Sequence, residues 1–274
     1  MRKNLLKNTY VTIAILLVSL FAMPTTTKAQ MAFDLAIAGR KVTPSNCNDL
    51  TVLDGVAGKV SFDPNENVLT LEDATIETEG NVNAIYSKIE GLTIKVIGTN
   101  KLTSDKAVLT AMKPLTITGG GTLNVESQKD CALFVYLTEL TIDDCTVNAR
   151  SKAYGIAGGD GSAEKLIIRN ANVTAEGTES GSIRDLAELV LIGSKIEKPA
   201  GAAFDAAEHC VALNGEMVKA EVIIKKDPTA ISTPKTDKKV AKGTHTLSGV
   251  RVSDNLNSLS KGVYIVNGKK VVKQ

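Results

Sequence analysis

One three-residue phrase returns six times along the middle of the chain and limits the folds open to it. It reads Leu69-Thr70-Leu71, Leu92-Thr93-Ile94, Leu115-Thr116-Ile117, Leu140-Thr141-Ile142, Leu166-Ile167-Ile168 and Leu189-Val190-Leu191. The leading leucines are 23, 23, 25, 26 and 23 residues apart. A unit of that length cannot bury an apolar face by itself and must stack on its neighbours, which marks a solenoid. Successive residues of a strand face opposite sides, so each phrase sends its outer two side chains inward and its middle one outward.

Two further apolar patches complete the period. One follows the leading residue by about seven positions, at Thr75-Ile76, Thr146-Val147, Asn172-Val173 and Lys195-Ile196, and is shifted to Leu102 and to Leu123 with Val125 in the other two units. The other comes later, at Ala84-Ile85, Ala107-Val108, Ala132-Leu133, Gly155-Ile156, Ser182-Ile183 and Ala203-Phe204. Small residues, Ala74, Gly120, Cys145, Ala171 and Ser194, suit a tight inward corner between the first two patches, with Ile97 the exception. The remaining separators are mostly Gly, Asn, Asp and Ser, which reach turn conformations cheaply. Three strands and three corners per period predict an all-β chain: a right-handed parallel β-helix of about six coils, with an N-terminal β cap and a small C-terminal β domain. A β-sandwich has no need of a phrase repeated every 23 residues or so, and the Leu/Asn framework of a leucine-rich repeat is missing.

Residues 1–29 read as an export signal. Arg2, Lys3 and Lys7 precede an apolar stretch from Val11 to Met23, and Thr27-Lys28-Ala29 offers fairly small side chains for cleavage. The apolar stretch is too short to span a bilayer, so no membrane span is expected once it is removed. The nearest cysteine, Cys47, is too distant to carry a lipid at that cleavage site. The predicted address is secreted or cell-surface. Charge is divided unevenly: residues 30–224 carry 17 basic and 27 acidic side chains, residues 225–274 carry 11 and 3. An acidic body argues against nucleic acid as a partner, because phosphate binding rests on a basic surface.

Ahead of the repeats, Leu35-Ala36-Ile37 and Arg40-Lys41-Val42-Thr43 predict a hairpin, and Val60-Ser61-Phe62 with Val68-Leu69-Thr70-Leu71 a second one around Asp63-Pro64-Asn65-Glu66-Asn67. Both are expected to cap the first coil within a β-helical domain spanning 30–226. Residues 227–243, rich in Lys, Thr and Pro, read as a linker. In the last segment, 244–274, Asn267-Gly268 between two apolar runs is a two-residue hairpin signal.

That last segment, through Leu247-Ser248-Gly249-Val250-Arg251-Val252 and Lys261-Gly262-Val263-Tyr264-Ile265-Val266-Asn267-Gly268-Lys269-Lys270-Val271, resembles the C-terminal sorting domains of proteins exported by type IX secretion. The resemblance implies a small β domain used for export or display; His245 stands where such tails often carry a larger aromatic residue. The body is similar to an uncharacterised group of secreted proteins of Gram-negative gut anaerobes, described as carbohydrate-binding-domain-containing or pectate-lyase-like β-helix proteins. The shared segments are Leu35 to Thr43, Cys47-Asn48-Asp49-Leu50, Val60 to Pro64, Leu69-Thr70-Leu71 and Leu92-Thr93-Ile94-Lys95 with Gly98-Thr99-Asn100. This likeness implies a fold and an extracellular address and supplies no catalytic residues.

Candidate chemistry is sparse. Asp143-Asp144 offers carboxylates for acid/base work, and one period on, Arg169 and Asn170 stack beside it; a solvated corner is the preferred reading over a catalytic pair. Gly158-Gly159-Asp160-Gly161-Ser162 lacks the acids of a calcium loop and the Lys of a phosphate loop, so it reads as a corner. With only His209 and His245, no histidine-based metal site or serine triad is expected, and no cofactor. Cys47, Cys131, Cys145 and Cys210 have no metal-ligand spacing and leave free and paired thiols equally open. The chain has no Trp and only 4% aromatic residues, so Tyr86, Tyr136 and Tyr154 are the available sugar platforms, each equally suited to packing along its coil. The leading expectation is an exported, non-enzymatic surface or secreted binding protein, with a glycan or a surface protein as its candidate partners. The alternatives are a polysaccharide lyase or hydrolase with dispersed catalytic residues, and a structural surface protein that binds other proteins.

Overall fold

Alternation of apolar and polar side chains at the phrase Leu140-Thr141-Ile142 builds a strand with a dry side and a wet side, and the stacking of these strands makes the molecule. The computed structural model describes residues 31–227, 243–246, 249–252, 259–266 and 269–273. The expected signal at 1–29, most of the expected linker and the Asn267-Gly268 turn lie outside the described residues. The chain forms two compact units, Met1–Ala230 and Ile231–Gln274.

In the first unit β1 (Leu35–Ile37), β2 (Arg40–Lys41) and β3 (Val56–Asp63) precede the coils. The first coil has β4 (Val68–Glu77), one long strand bent through the first two sides, and β5 (Ile85–Ser87). Four three-strand coils follow. They are β6 (Leu92–Ile97), β7 (Thr99–Ser104) and β8 (Leu109–Ala111); β9 (Leu115–Thr118), β10 (Thr122–Ser127) and β11 (Cys131–Val135); β12 (Glu139–Asp143), β13 (Thr146–Ser151) and β14 (Tyr154–Ala157); β15 (Lys165–Arg169), β16 (Asn172–Gly177) and β17 (Gly181–Arg184). The end is formed by β18 (Glu188–Ile192), β19 (Ser194–Lys198), β20 (Ala203–Asp205), β21 (Cys210–Leu213), β22 (Glu216–Met217) and β23 (Val222–Lys226). Equivalent strands of successive coils pair in parallel, giving three side-by-side ladders and a β-solenoid of about five turns.

The core is a set of in-register columns. Leu92, Leu115, Leu140 and Leu166 lie over one another, and so do Ile94, Ile117, Ile142 and Ile168. All eight are at most 2% exposed. Burying each such side chain is worth about 1.5–3 kcal/mol over leaving it in water, so the columns carry the fold. The first phrase joins with a shift: Leu69 lies against Ile94 and Leu71 against Val96. A two-residue slip keeps every inward side chain inward, so the core tolerates it.

Corners are held by two devices. After each first strand the chain takes positive φ: at Asp73 (46°), Gly98 (66°), Gly119 and Gly120 (122° and 81°), Asp144 (50°), Asn170 (47°) and Gly193 (60°). Ala74, Cys145 and Ala171 point inward there as expected, whereas Gly120 is exposed. In the second coil the inward place is filled by Asn100, fully buried, whose Oδ1 accepts the Ala74 N–H at 2.8 Å. Its amide donates to Ile97 O at 3.1 Å and Thr122 O at 3.3 Å, so three coils meet on one side chain. At the next corner Ser104, Ser127 and Ser151 stack in register and are buried. Ser127 Oγ accepts the Asp130 N–H at 3.0 Å and donates to Lys106 O of the coil before at 3.0 Å. Ser104 does the same with Lys106 N and Val82 O, and Ser151 with Ala153 N and Asp130 O.

The stack is closed by antiparallel strands. At the start β1 pairs with β5 and β3 with β4, and the two hairpins predicted there, Ala36 opposite Lys41 and Phe62 opposite Leu69, are present. At the far end β21 pairs antiparallel with β17 and β23 with β16. The sixth repeat therefore begins with β18 on β15 and does not finish a coil. Its Lys195-Ile196 strand lies outside β23, and its Ala203-Phe204 strand pairs antiparallel with β21. In the second unit β24 (Thr244–Thr246), β25 (Gly262–Val266) and β26 (Lys269–Lys273) form an antiparallel sheet, with Val266 opposite Lys269 as a two-residue hairpin requires. Tyr264 is buried there and donates to Ser260 O at 2.9 Å. All four cysteines are buried free thiols. No helix among the described residues is long and apolar enough to cross a membrane.

Candidate functional site

The third ladder gathers the aromatic side chains. Past the inward Ile85, Leu109, Leu133, Ile156 and Ile183, each strand places one residue in a shared outward column: Tyr86, Thr110, Phe134, Ala157 and Arg184. Neighbouring strands are about 4.8 Å apart, which sets Tyr86 and Phe134 roughly 10 Å from each other across Thr110. Tyr136 follows two residues after Phe134 and so falls on the same side; its N–H donates to Ala111 O at 3.0 Å. The Phe134 and Tyr136 rings lie 6.2 Å apart at 30°. Beneath them Ala107, Cys131 and Ala157 form a small apolar bed, distinct from the main core, against which Phe134 and Tyr154 also pack.

The result is an open groove of about 330 Å³ whose walls are Tyr86, Met112, Phe134 and Tyr136, with Asn83, Lys106, Thr110 and Asp130 as its polar members. Asn83 is held by its amide, which donates to Ala107 O at 2.5 Å and Thr110 Oγ1 at 2.9 Å. A second, polar depression of about 380 Å³ shares Lys106 and Asp130 and continues over the corner past Asp105 and Lys129. Lys129 donates to Asp105 at 2.9 Å, and that contact holds the Asp105 carboxyl below its ordinary value. Lys106 has no carboxylate within ion-pair distance among the described residues. Tyr136 is the most exposed ring among the described residues, at 41%. Lys88 sits 5.7 Å from the Tyr86 ring centre, and the Arg184 guanidinium covers Tyr154 at 5.5 Å, a cation–π arrangement that stiffens one face of each ring.

A buried carboxylate positions the exposed rim. Glu164 is fully buried, and its Oε1 accepts the N–H of Leu137 and of Gly159, each at 3.1 Å, while Oε2 accepts that of Ala163 at 3.2 Å. Burial alone would raise its pKa, but the backbone donors outweigh it and hold the carboxyl below the ordinary value. Glu164 thereby ties the Tyr136-Leu137 segment to the Gly158-to-Ser162 corner. A side chain at Gly159 would meet Glu164 Oε1 at 2.8 Å and the Tyr136 ring at 3.0 Å, so glycine lets that corner lie flat against the ring.

Asp143, Asp144 and Arg169 lie elsewhere, at the corner after the first ladder. Asp143 is in register with Arg169, whose Nη1 is 3.8 Å from Asp143 Oδ2; Asp143 Oδ1 is buried with no hydrogen-bond partner among the described residues. Asp144 Oδ1 is 3.5 Å from Lys226 Nζ. No three His, Cys, Asp or Glu side chains converge as a metal site among the described residues. Of the sequence candidates, then, Tyr86 and Tyr136 come together in one groove, Tyr154 lies on the same face under Arg184, and the Asp143-Asp144 pair stands apart with its own cations. Sequence reasoning missed Phe134, Lys106 and Asp130. The signal for Phe134 was present: it is the residue just after the third apolar patch, as Tyr86 is in its own coil. Compared with known proteins, the chain matches no family model, no curated protein and no solved structure.

Proposed function

We propose that this is an exported, non-enzymatic secreted or surface protein that binds glycan along the aromatic groove of the third ladder. The observation that carries this reading is the convergence of Tyr86, Phe134 and Tyr136 on one open, shallow trough. A sugar ring has one face of C–H groups and an edge of hydroxyls; it packs that face on an aromatic ring and presents its edge to polar side chains, here Lys106, Asp130 and Asn83. Strand spacing gives the rings a fixed separation, which suits a chain of sugars better than a single one. The leader-like N-terminus and the sorting-like tail supply the route to the outside.

Titration of the purified protein against soluble polysaccharides tests it. Phe134→Ala and Tyr136→Ala are each expected to weaken binding about tenfold or more, roughly 1.4 kcal/mol, while Asp143→Asn leaves it unchanged. Binding indifferent to both aromatic changes would sink the groove as the site. Depolymerisation lost on changing Asp143 or Asp144 would make the protein an enzyme instead. A glycan screen without hits beside specific capture of a protein partner would favour the structural-surface alternative.

A further inference from the structure

The three ladders have six ends between them, and five are closed by an antiparallel strand. At the start, β3 runs along both halves of β4 and β1 covers β5; at the far end, β23 covers β16 and β21 covers β17. The sixth end is β18, which is hydrogen-bonded on one side only, to β15, among the described residues. Its composition is not that of a protected edge. Glu188-Leu189-Val190-Leu191-Ile192 has a single charge and no Pro, and natural edge strands usually carry lysines, prolines or bulges to discourage pairing. Leu189 and Leu191 continue the core columns of Leu166 and Ile168, yet they are half-buried where those two are fully buried, and Ile192 is 39% exposed.

We infer that β18 is an interaction surface for a second copy of this chain, paired antiparallel with its own counterpart about a two-fold axis at Val190. The occupant follows from how the rest of the fold ends and from the strand itself. Every other end takes an antiparallel strand, and a strand meeting its copy across a two-fold axis is antiparallel by necessity. The axis at Val190 sets Leu189 of one copy opposite Leu191 of the other, both on the core side, so two core columns run on into the second copy's. A register displaced by one residue would turn the leucines outward and is disfavoured. Five residues per copy bury less than the roughly 1,200–2,000 Å² of a standard interface, so the dimer is weak and dissociates on dilution.

Sedimentation and light scattering of the whole protein across the micromolar range are expected to show a concentration-dependent dimer. Val190→Lys places two ammonium groups directly opposite each other and is expected to leave a monomer, with the thermal transition preserved because Val190 faces outward. Val190→Cys tests the register without depending on that loss. Opposed strand residues lie about 4.5–5.5 Å apart, within the span of a disulfide, so mild oxidation should yield a covalent dimer, whereas Thr116→Cys in the middle of the same ladder should not. The four native thiols are buried and add little background. A protein monomeric throughout, or a dimer that survives Val190→Lys and fails to cross-link through Val190→Cys, overturns the inference.

Discussion

Single residues at the corners decide whether a coil can close, and Asp144, one of the two carboxylates singled out in the sequence, sits at such a corner. Asp144 has φ 50° and Asn170 has φ 47° at equivalent corners, a conformation that costs most side chains about 1–2 kcal/mol and that Asp and Asn tolerate best after glycine. Beside them Cys145 packs inward with its thiol 3.6 Å from Ile117 O, and burial, together with the Asp143 and Asp144 charges, pushes its pKa up to about 12. Such a thiol is not a nucleophile near neutral pH. Glu164 is the opposite case: a charge buried because three backbone N–H groups from two segments accommodate it. Glu164→Gln is expected to cost about 1.5–3 kcal/mol at neutral pH, the worth of hydrogen bonds to a charged group. The folded carboxyl lies below its unfolded value of about 4.5, so its stabilisation is complete above that pH and fades as pH falls through the lower, folded value. Denaturant midpoints of the two proteins should therefore differ at neutral pH and converge under acid, and a constant gap would show that the charge is not what matters.

At the scale of the element, the serine ladder supports the second corner much as the apolar columns support the strands. Ser127→Ala removes an acceptor from the Asp130 N–H and a donor from Lys106 O, and is expected to destabilise the solenoid by about 1–3 kcal/mol. The adjacent exposed Glu126→Ala should change stability by no more than about 0.5 kcal/mol, and equal losses in the two thermal melts would remove the ladder's claim. This ladder also shows what the sequence could and could not tell. The phrase Leu-Thr-Ile exposed the ladders and the inward columns because alternation is dictated by strand geometry. It left the register of Leu69 open, since a slip of two residues preserves the alternation. Lys195-Ile196 and Ala203-Phe204 have the same pattern as a true coil, and only the presence of β23 and β21, contributed from later in the chain, diverts them. Asn100 was legible as a residue and not as the plug of its corner, because its partners Ala74 and Thr122 belong to other coils. Tyr86 and Tyr136 were legible as candidate platforms, while their meeting with Phe134 depended on reading one column across three coils.

For the molecule as a whole, repetition makes the groove a property of the stack and not of any one coil. Tyr86 comes from the first coil, Thr110 and Met112 from the second, Phe134 and Tyr136 from the third, so the distance between rings is set by how many strands lie between them. Stability of such an array is close to a sum of repeats and nearest-neighbour contacts, which permits a whole unit to be removed without destroying the rest. Leu92 is in register with Leu115, so deleting residues 92–114 joins Gly91 to Leu115 and lays the third coil directly on the first, with the inward columns continued by the phrase of β9 over that of β4. The shortened chain is expected to keep its β circular dichroism and a cooperative transition at reduced temperature. Tyr86 and Phe134 would then be adjacent, about 4.8 Å apart instead of roughly 10 Å, with Lys106 and Met112 gone. Glycan affinity should fall by more than either single aromatic change produces, although all three rings remain in the sequence. A deletion protein that folds and binds as tightly as the parent would mean that ring spacing does not define the site, and that the ligand is held by fewer coils than the groove spans.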